Sequence, residues 1–130
     1  MKIYLPFHAE SIETARQLCA GMDDDFLKYK AVINYVSTHF AYDYVKAITI
    51  PKRGGLADVE NCWKKRMGIC GDLSAMTVGM LRGVGLKAWL VIGRADKICH
   101  AWVETDWGIY DPTVAITKRK VRIYKKERMY

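Results

Sequence analysis

The chain has no apolar run long enough to cross a membrane, which takes roughly 20 consecutive apolar residues. Its first residues, Met1-Lys2-Ile3-Tyr4-Leu5-Pro6-Phe7-His8, lack the apolar core of about 7 to 15 residues found in a secretion signal. As written, the sequence predicts a soluble protein that stays in the cytosol; a fragment of a secreted protein would read the same. Cysteine is sparse as well. Cys19, Cys62, Cys70 and Cys99 form no CxxC pair and fall short of the density of a disulfide scaffold, so reduced thiols are expected. Cys99 adjoins His100 and Cys62 precedes Cys70, yet no pair has zinc-ligand spacing, and strand alternation turns Cys99 away from the His100 face. No metal site is expected. An acidic calcium loop, an internal repeat and a low-complexity stretch are missing too.

What is present fits one domain over residues 1–130. The chain is 51% hydrophobic, enough for a core of ordinary size. Its net charge of +7 is concentrated at one end. Between Lys118 and Arg128 stand Lys118, Arg119, Lys120, Arg122, Lys125, Lys126 and Arg128 against Glu127 alone, so the preceding chain is nearly neutral. A basic segment over residues 118–130 could meet nucleic acid or an anionic surface. A solvated strand face or a fraying end is the commoner meaning, and no interleaved aromatic motif favours nucleic acid.

Patterning divides the chain into helices followed by strands. After an extended start ending at Pro6, Ser11 is placed to cap a helix reaching about Cys19 or Met22. Asp23, Asp24 and Asp25 offer a cap and acidic first turn to a second helix, with Phe26, Tyr29, Val32, Ile33, Val36 and Phe40 at helical spacing. Phe40 to Ile50 reads as extended chain, Pro51-Lys52-Arg53-Gly54-Gly55 as a loop, and Asp58 to Lys65 as a short helical turn. A helix starts near Cys70 and runs to Val84 through Leu73, Met76, Thr77, Met80 and Leu81, ended by Gly85 in a left-handed conformation. Lys87 to Gly93 reads as a strand buried on both faces. Arg94 to Ile98 turns the chain, His100 to Glu104 and Ile109 to Tyr110 alternate as strands, Pro112 stops the second, and Val121 to Tyr124 adds an edge strand. Trp89, Trp102 and Trp107 read as packing residues, with Trp107 on the His100 face. Met67, Met76 and Met80 look like core filler. His8 and His39 have no evident partner.

The stretch Met67 to Thr113 carries the chemistry. A cysteine attacks as the thiolate, and a free thiol with a pKa of about 8.5 is mostly protonated at neutral pH. Cys70 begins a helix, where unpaired N–H groups and the macrodipole favour an anion. Gly68 and Gly71 suit a tight entry and close approach of a substrate. Asp72 fits the first turn but opposes a thiolate, so a positive group has to stand nearby, and His100 as imidazolium is the candidate. If the chain reverses around Thr105 and Asp106, Glu104 faces Trp107, Trp102 faces Ile109 and His100 faces Asp111. Asp111 then lies within reach to orient His100. An odd-length turn would send Asp111 to the other face.

Gly68-Ile69-Cys70 at a helix start, Leu81-Arg82 with Gly85 and Ala88 near its end, His100-Ala101-Trp102-Val103-Glu104, Trp107 and Asp111-Pro112-Thr113 together resemble the transglutaminase-like superfamily. Ile33-Asn34-Tyr35-Val36 followed by Tyr42-Asp43-Tyr44 extends the resemblance over about residues 26–113. It implies an α+β, papain-like core in which N-terminal helices and a cysteine-bearing helix pack on an antiparallel sheet. It also implies catalytic roles for Cys70 as nucleophile, His100 as proton carrier and Asp111 as the residue that orients it, with a protein or peptide substrate and no cofactor. The Cys70 backbone N–H would be one oxyanion donor; Tyr42, Asn61 and Trp63 stay open for the second. A cysteine acyl hydrolase or protease is the leading expectation. Its rivals are an amine-transferring transglutaminase and a binding or scaffolding module that keeps the fold without catalysis.

Overall fold

Apolar side chains recur on almost every face of the segment that begins at Cys70, and a helix of that kind has to be enclosed. In the computed structural model, which describes residues 5, 7–49 and 57–130, this segment is the centre of the core. The start up to Pro6 and the loop at Pro51–Gly55 lie outside the described residues, Leu5 excepted. The helices are α1 (Ala9–Leu18), α2 (Asp25–His39), α3 (Tyr44–Thr49), α4 (Val59–Lys65), α5 (Cys70–Gly83) and α6 (Pro112–Thr117), and the strands are β1 (Ala41–Tyr42), β2 (Met67–Gly68), β3 (Ala88–Ala95), β4 (Ile98–Thr105), β5 (Gly108–Tyr110) and β6 (Tyr124–Met129). Helices α1, α2 and α4 pack on α5, as do β3 and β4, giving the expected α+β arrangement. Leu73, Met76, Met80 and Leu81 of α5 share the core with Val32, Val36, Leu90 and Val103. Beyond α5, Leu86 N–H reaches back to the Leu81 carbonyl at 3.1 Å while Gly85 takes φ +86°, the left-handed end foreseen there.

The main sheet is antiparallel, in the order β5-β4-β3-β6. Asp96 and Lys97, at φ 48° and 73°, make the tight turn between β3 and β4. β3 is not buried on both faces: Trp89 is exposed, with the Arg82 guanidinium 5.5 Å from its ring centre. A separate parallel pair, β1 with β2, sets Tyr42 beside Gly68.

Several local expectations are corrected. The cap of α1 is His8, whose Nδ1 accepts from the Ser11 backbone N–H at 3.2 Å; Ser11 is buried one turn in. His39 likewise has partners, the Tyr35 carbonyl and the Thr38 hydroxyl. Among the described residues of the Phe40–Ile50 stretch, the strand is confined to Ala41 and Tyr42, after an extended Phe40. Asp43 accepts from the Lys46 N–H at 3.0 Å and starts α3, where local capping outweighs β-branched content. Pro112 opens α6 rather than merely stopping a strand, because its missing N–H costs nothing at the first helical position. The edge strand falls at Tyr124–Met129, later than Val121–Tyr124. The β4–β5 hairpin turns on Asp106 and Trp107, pairing Thr105 with Gly108, Glu104 with Ile109 and Val103 with Tyr110. That register lies two residues from the expected one; the even shift preserves which face each residue takes. Trp107 consequently sits at the tip, stacked on Tyr29 at 4.9 Å. Met67 is exposed, unlike the buried Met76 and Met80.

Candidate active site

Asp111 occupies the junction between β5 and α6. As the cap of α6, its Oδ1 accepts from the Thr113 and Val114 N–H groups at 3.1 and 3.3 Å. Its Oδ2 accepts from His100 Nε2 at 2.8 Å, so the two residues meet although β5 ends before they could pair across the ladder. A helix cap, not a cross-strand register, aims the carboxylate.

His100 comes from β4 with its side chain largely buried. Burial alone would lower its pKa. The hydrogen bond to Asp111 and next the influence of the Cys70 thiol, together with their negative charges, more than offset that and raise it to about 9. With Nε2 committed to Asp111, Nδ1 is the nitrogen left for the thiol. The half-buried Cys70 stands at the first position of α5, close enough to act on the imidazole, although no hydrogen bond of standard geometry joins the pair among the described residues. Such contacts often tighten only when substrate is bound.

The entry to α5 is built around Asp72. Its Oδ2 accepts from the Ile69 N–H at 3.1 Å, closing the first turn, and from Lys46 Nζ at 2.7 Å. Its Oδ1 accepts from the Asp58 N–H at 2.9 Å. The carboxylate that seemed to oppose a thiolate is thus paired with a lysine and two backbone donors. Gly68 is required by packing, since a Cβ there would meet Cys62 Sγ at 2.8 Å and the Asp72 Cβ at 2.9 Å. Gly71 faces open space.

Of the candidate oxyanion donors, Asn61 gives its amide to Asp58 at 3.1 Å. Trp63 is enclosed by His8, Tyr35, Phe40 and the Arg66 guanidinium. Tyr42 is set beside Gly68, two residues before the thiol, and its pKa is raised by burial first and by the charge of Cys70 next. Beside the imidazole, a crevice is lined by Ala95, Ile98, Thr113, Val114, Arg119 and Val121. Among the described residues, no group of three or more His, Cys, Asp or Glu side chains is placed to hold a metal ion. No helix among them is long and apolar enough to cross a membrane.

Residues 12–114 match the family model of the Transglutaminase-like superfamily. The chain belongs to that superfamily. A comparison with curated protein sequences finds no match. Solved structures share the transglutaminase-like fold. One, from Cytophaga hutchinsonii, is described as a "Putative Cysteine Protease"; it superposes with a TM-score of 0.64 at 14% identity, over 94% of this chain and 49% of its own. Another is described as a TGase, with a TM-score of 0.56 at 22% identity, over 81% of this chain and 30% of its own. This transglutaminase-like chain therefore spans about half the length of the first and under a third of the second.

Two participants escaped sequence reasoning. Lys46 was hidden because its segment read as extended. Tyr124, whose hydroxyl donates to Asp111 Oδ2 at 2.9 Å, lies beyond the matched residues and is brought in by a strand pairing that no local pattern signals.

Proposed function

We propose that this chain is a cysteine acyl hydrolase or protease of the transglutaminase-like kind, acting on an amide or peptide carbonyl through a thioester. The observation that carries the reading is the 2.8 Å bond between His100 Nε2 and Asp111 Oδ2, which leaves Nδ1 for a thiol at the start of α5. In this reading the Cys70 thiolate adds to the carbonyl carbon and forms the C–S bond. The carbonyl oxygen takes the negative charge and accepts from the Cys70 backbone N–H, with the Tyr42 hydroxyl as the second donor. His100 passes its proton to the departing nitrogen as the C–N bond breaks. Water then attacks the thioester while His100 takes its proton, and the acid leaves with Cys70 restored. Asp111 keeps the ring oriented and stabilises its charge throughout.

Electrophilic peptides incubated with the full chain test this. Covalent labelling mapped to Cys70 and lost in Cys70→Ala is the expected result, and labelling that survives the substitution overturns the reading. Adding a primary amine during turnover of an activated acyl peptide distinguishes the acceptors. Free acid as the product supports hydrolysis, and an amide conjugate marks amine transfer.

A further inference from the structure

The carboxylate of Asp111 has more partners than an orienting role toward His100 requires. Oδ1 is held by two backbone donors of α6, and Oδ2 is shared: His100 Nε2 approaches at 2.8 Å and Tyr124 Oη at 2.9 Å. Trp102, fully buried, packs between the two donors, its ring centre 4.9 Å from that of Tyr124 and 6.3 Å from that of His100. Burial and the neighbouring Asp111 charge push the Tyr124 phenol upward, so it remains a donor across the working range of a cysteine enzyme.

The strand that brings Tyr124 is fitted closely. β6 lies on the edge of β3 with an irregularity between Ile92 and Gly93, and a Cβ at Gly93 would strike the Lys125 carbonyl and the Trp102 ring. The link before it is tied down by Asp96, whose carboxylate accepts from the Arg122 and Ile123 N–H groups at 2.8 to 3.1 Å. Lys126 adds a 2.6 Å pair with Glu104. Strand β6 and the link before it lie outside the residues matched by the superfamily, while the β3 edge and Asp96 that hold them lie inside. Part of the basic C-terminal segment is therefore built into the site.

We propose that Tyr124 is a positioning residue that shares Asp111 Oδ2 with His100 and thereby sets how firmly the carboxylate holds the imidazolium. Its role, unlike the contact itself, rests on reading Cys70, His100 and Asp111 as a triad. A donor on Oδ2 draws negative charge away from the His100 bond. Without it the carboxylate faces the imidazolium alone, and the ring gives up its proton less readily. The other charged or titratable groups around the ring are Cys70 from α5 and Arg119 from the link between α6 and β6.

The test is an NMR titration of the His100 ring in the full chain, its signal assigned with His100→Gln and read without any substrate. Tyr124→Phe keeps the aromatic packing and removes the hydroxyl, and should move the His100 midpoint upward by about half a unit or more. Replacing Tyr124 by 3-fluorotyrosine, a more acidic phenol and a stronger donor, should move it downward. This arm stands if the Phe variant fails to fold. A midpoint that moves with neither change overturns the proposal, because a tyrosine that only packs would leave the titration in place. Electrophile labelling of Cys70 in the same variants separates the two readings. Labelling with an unmoved midpoint defeats only the role of Tyr124. A moved midpoint without Cys70 labelling leaves Tyr124 tuning the His100–Asp111 pair and defeats the acyl-transfer reading.

Discussion

Lys46 Nζ stands 2.7 Å from Asp72 Oδ2 and joins an exposed helix to the turn that carries Cys70. The carboxylate is buried and the lysine partly exposed, so the pair is worth more than a surface bridge and less than a fully enclosed one. Lys46→Met leaves Asp72 its two backbone donors but no opposite charge, and should cost about 1–2 kcal/mol. Asp72→Ala strands the Ile69 and Asp58 N–H groups as well, and should cost about 3 kcal/mol or more. Urea unfolding midpoints of the two variants check the order; equal losses would mean that the backbone bonds carry little.

Stability should depend on pH through His100. Its folded pKa is raised to about 9, burial opposing and Asp111 with Cys70 prevailing. A raised pKa means that the folded state binds the proton more tightly than the unfolded chain. The contribution is therefore complete below the unfolded value of about 6.5 and is lost as pH climbs through about 9. The stability difference between the native chain and His100→Gln should be largest at and below pH 6.5 or so and shrink toward pH 9 and above. Chemical denaturation at a series of pH values measures it, and a difference that grows with pH would contradict the assignment.

The four cysteines should separate by reactivity. Burial, and next the charge of Asp72, pushes the Cys62 thiol up to about 12, and burial raises that of Cys19. Both should resist alkylation near neutral pH. Cys99 is exposed and Cys70 half-buried at a helix start. In Cys99→Ser, iodoacetamide should add rapidly to one site, and Cys70→Ala in that background should remove the fast phase. Intact-mass time courses decide; a fast phase that persists would place the reactive thiol elsewhere.

The helix at Cys70 was legible because its apolar spacing, its glycine end and its entry motif agreed with one another. The strands on either side of the β3–β4 turn were legible too, although the turn read as Arg94 to Ile98 is only Asp96 and Lys97, and β3, an unbroken apolar run, is not buried on both faces. The hairpin register was harder, since Thr105, Asp106 and Trp107 all tolerate a turn and the deciding contact, Trp107 on Tyr29, is made by a residue far away in the chain. The short helices α3 and α6 were missed for a related reason. Each has only six residues and depends on its cap, Asp43 for one and Asp111 for the other. Asp111 was read as a partner of His100 and Pro112 as a strand stop, although an aspartate followed by proline is also the local signature of a helix start. Tyr124 could be found only by knowing which edge of the sheet β6 would occupy.

Gly93 offers a direct test of that edge. In β3 it pairs with His100 on one side and Lys126 on the other, at the point where the β3–β6 register shifts. Gly93→Ala would drive a methyl group into the Lys125 carbonyl and toward the Trp102 ring, 2.9 Å away. Backbone cannot yield as a flexible side chain does, so the strain falls on the edge strand, and a loss of about 1–3 kcal/mol is expected. Hydrogen exchange should locate it. The amides of residues 124–130, including Tyr130 N–H on the Leu90 carbonyl, should lose protection while those of α5 keep theirs. Loosening β6 also withdraws Tyr124 from Asp111, so the His100 titration in Gly93→Ala should move in the same direction as in Tyr124→Phe. Protected β6 amides together with unchanged stability would show that the edge accommodates the methyl group, and that the glycine is not what lets β6 close on the site.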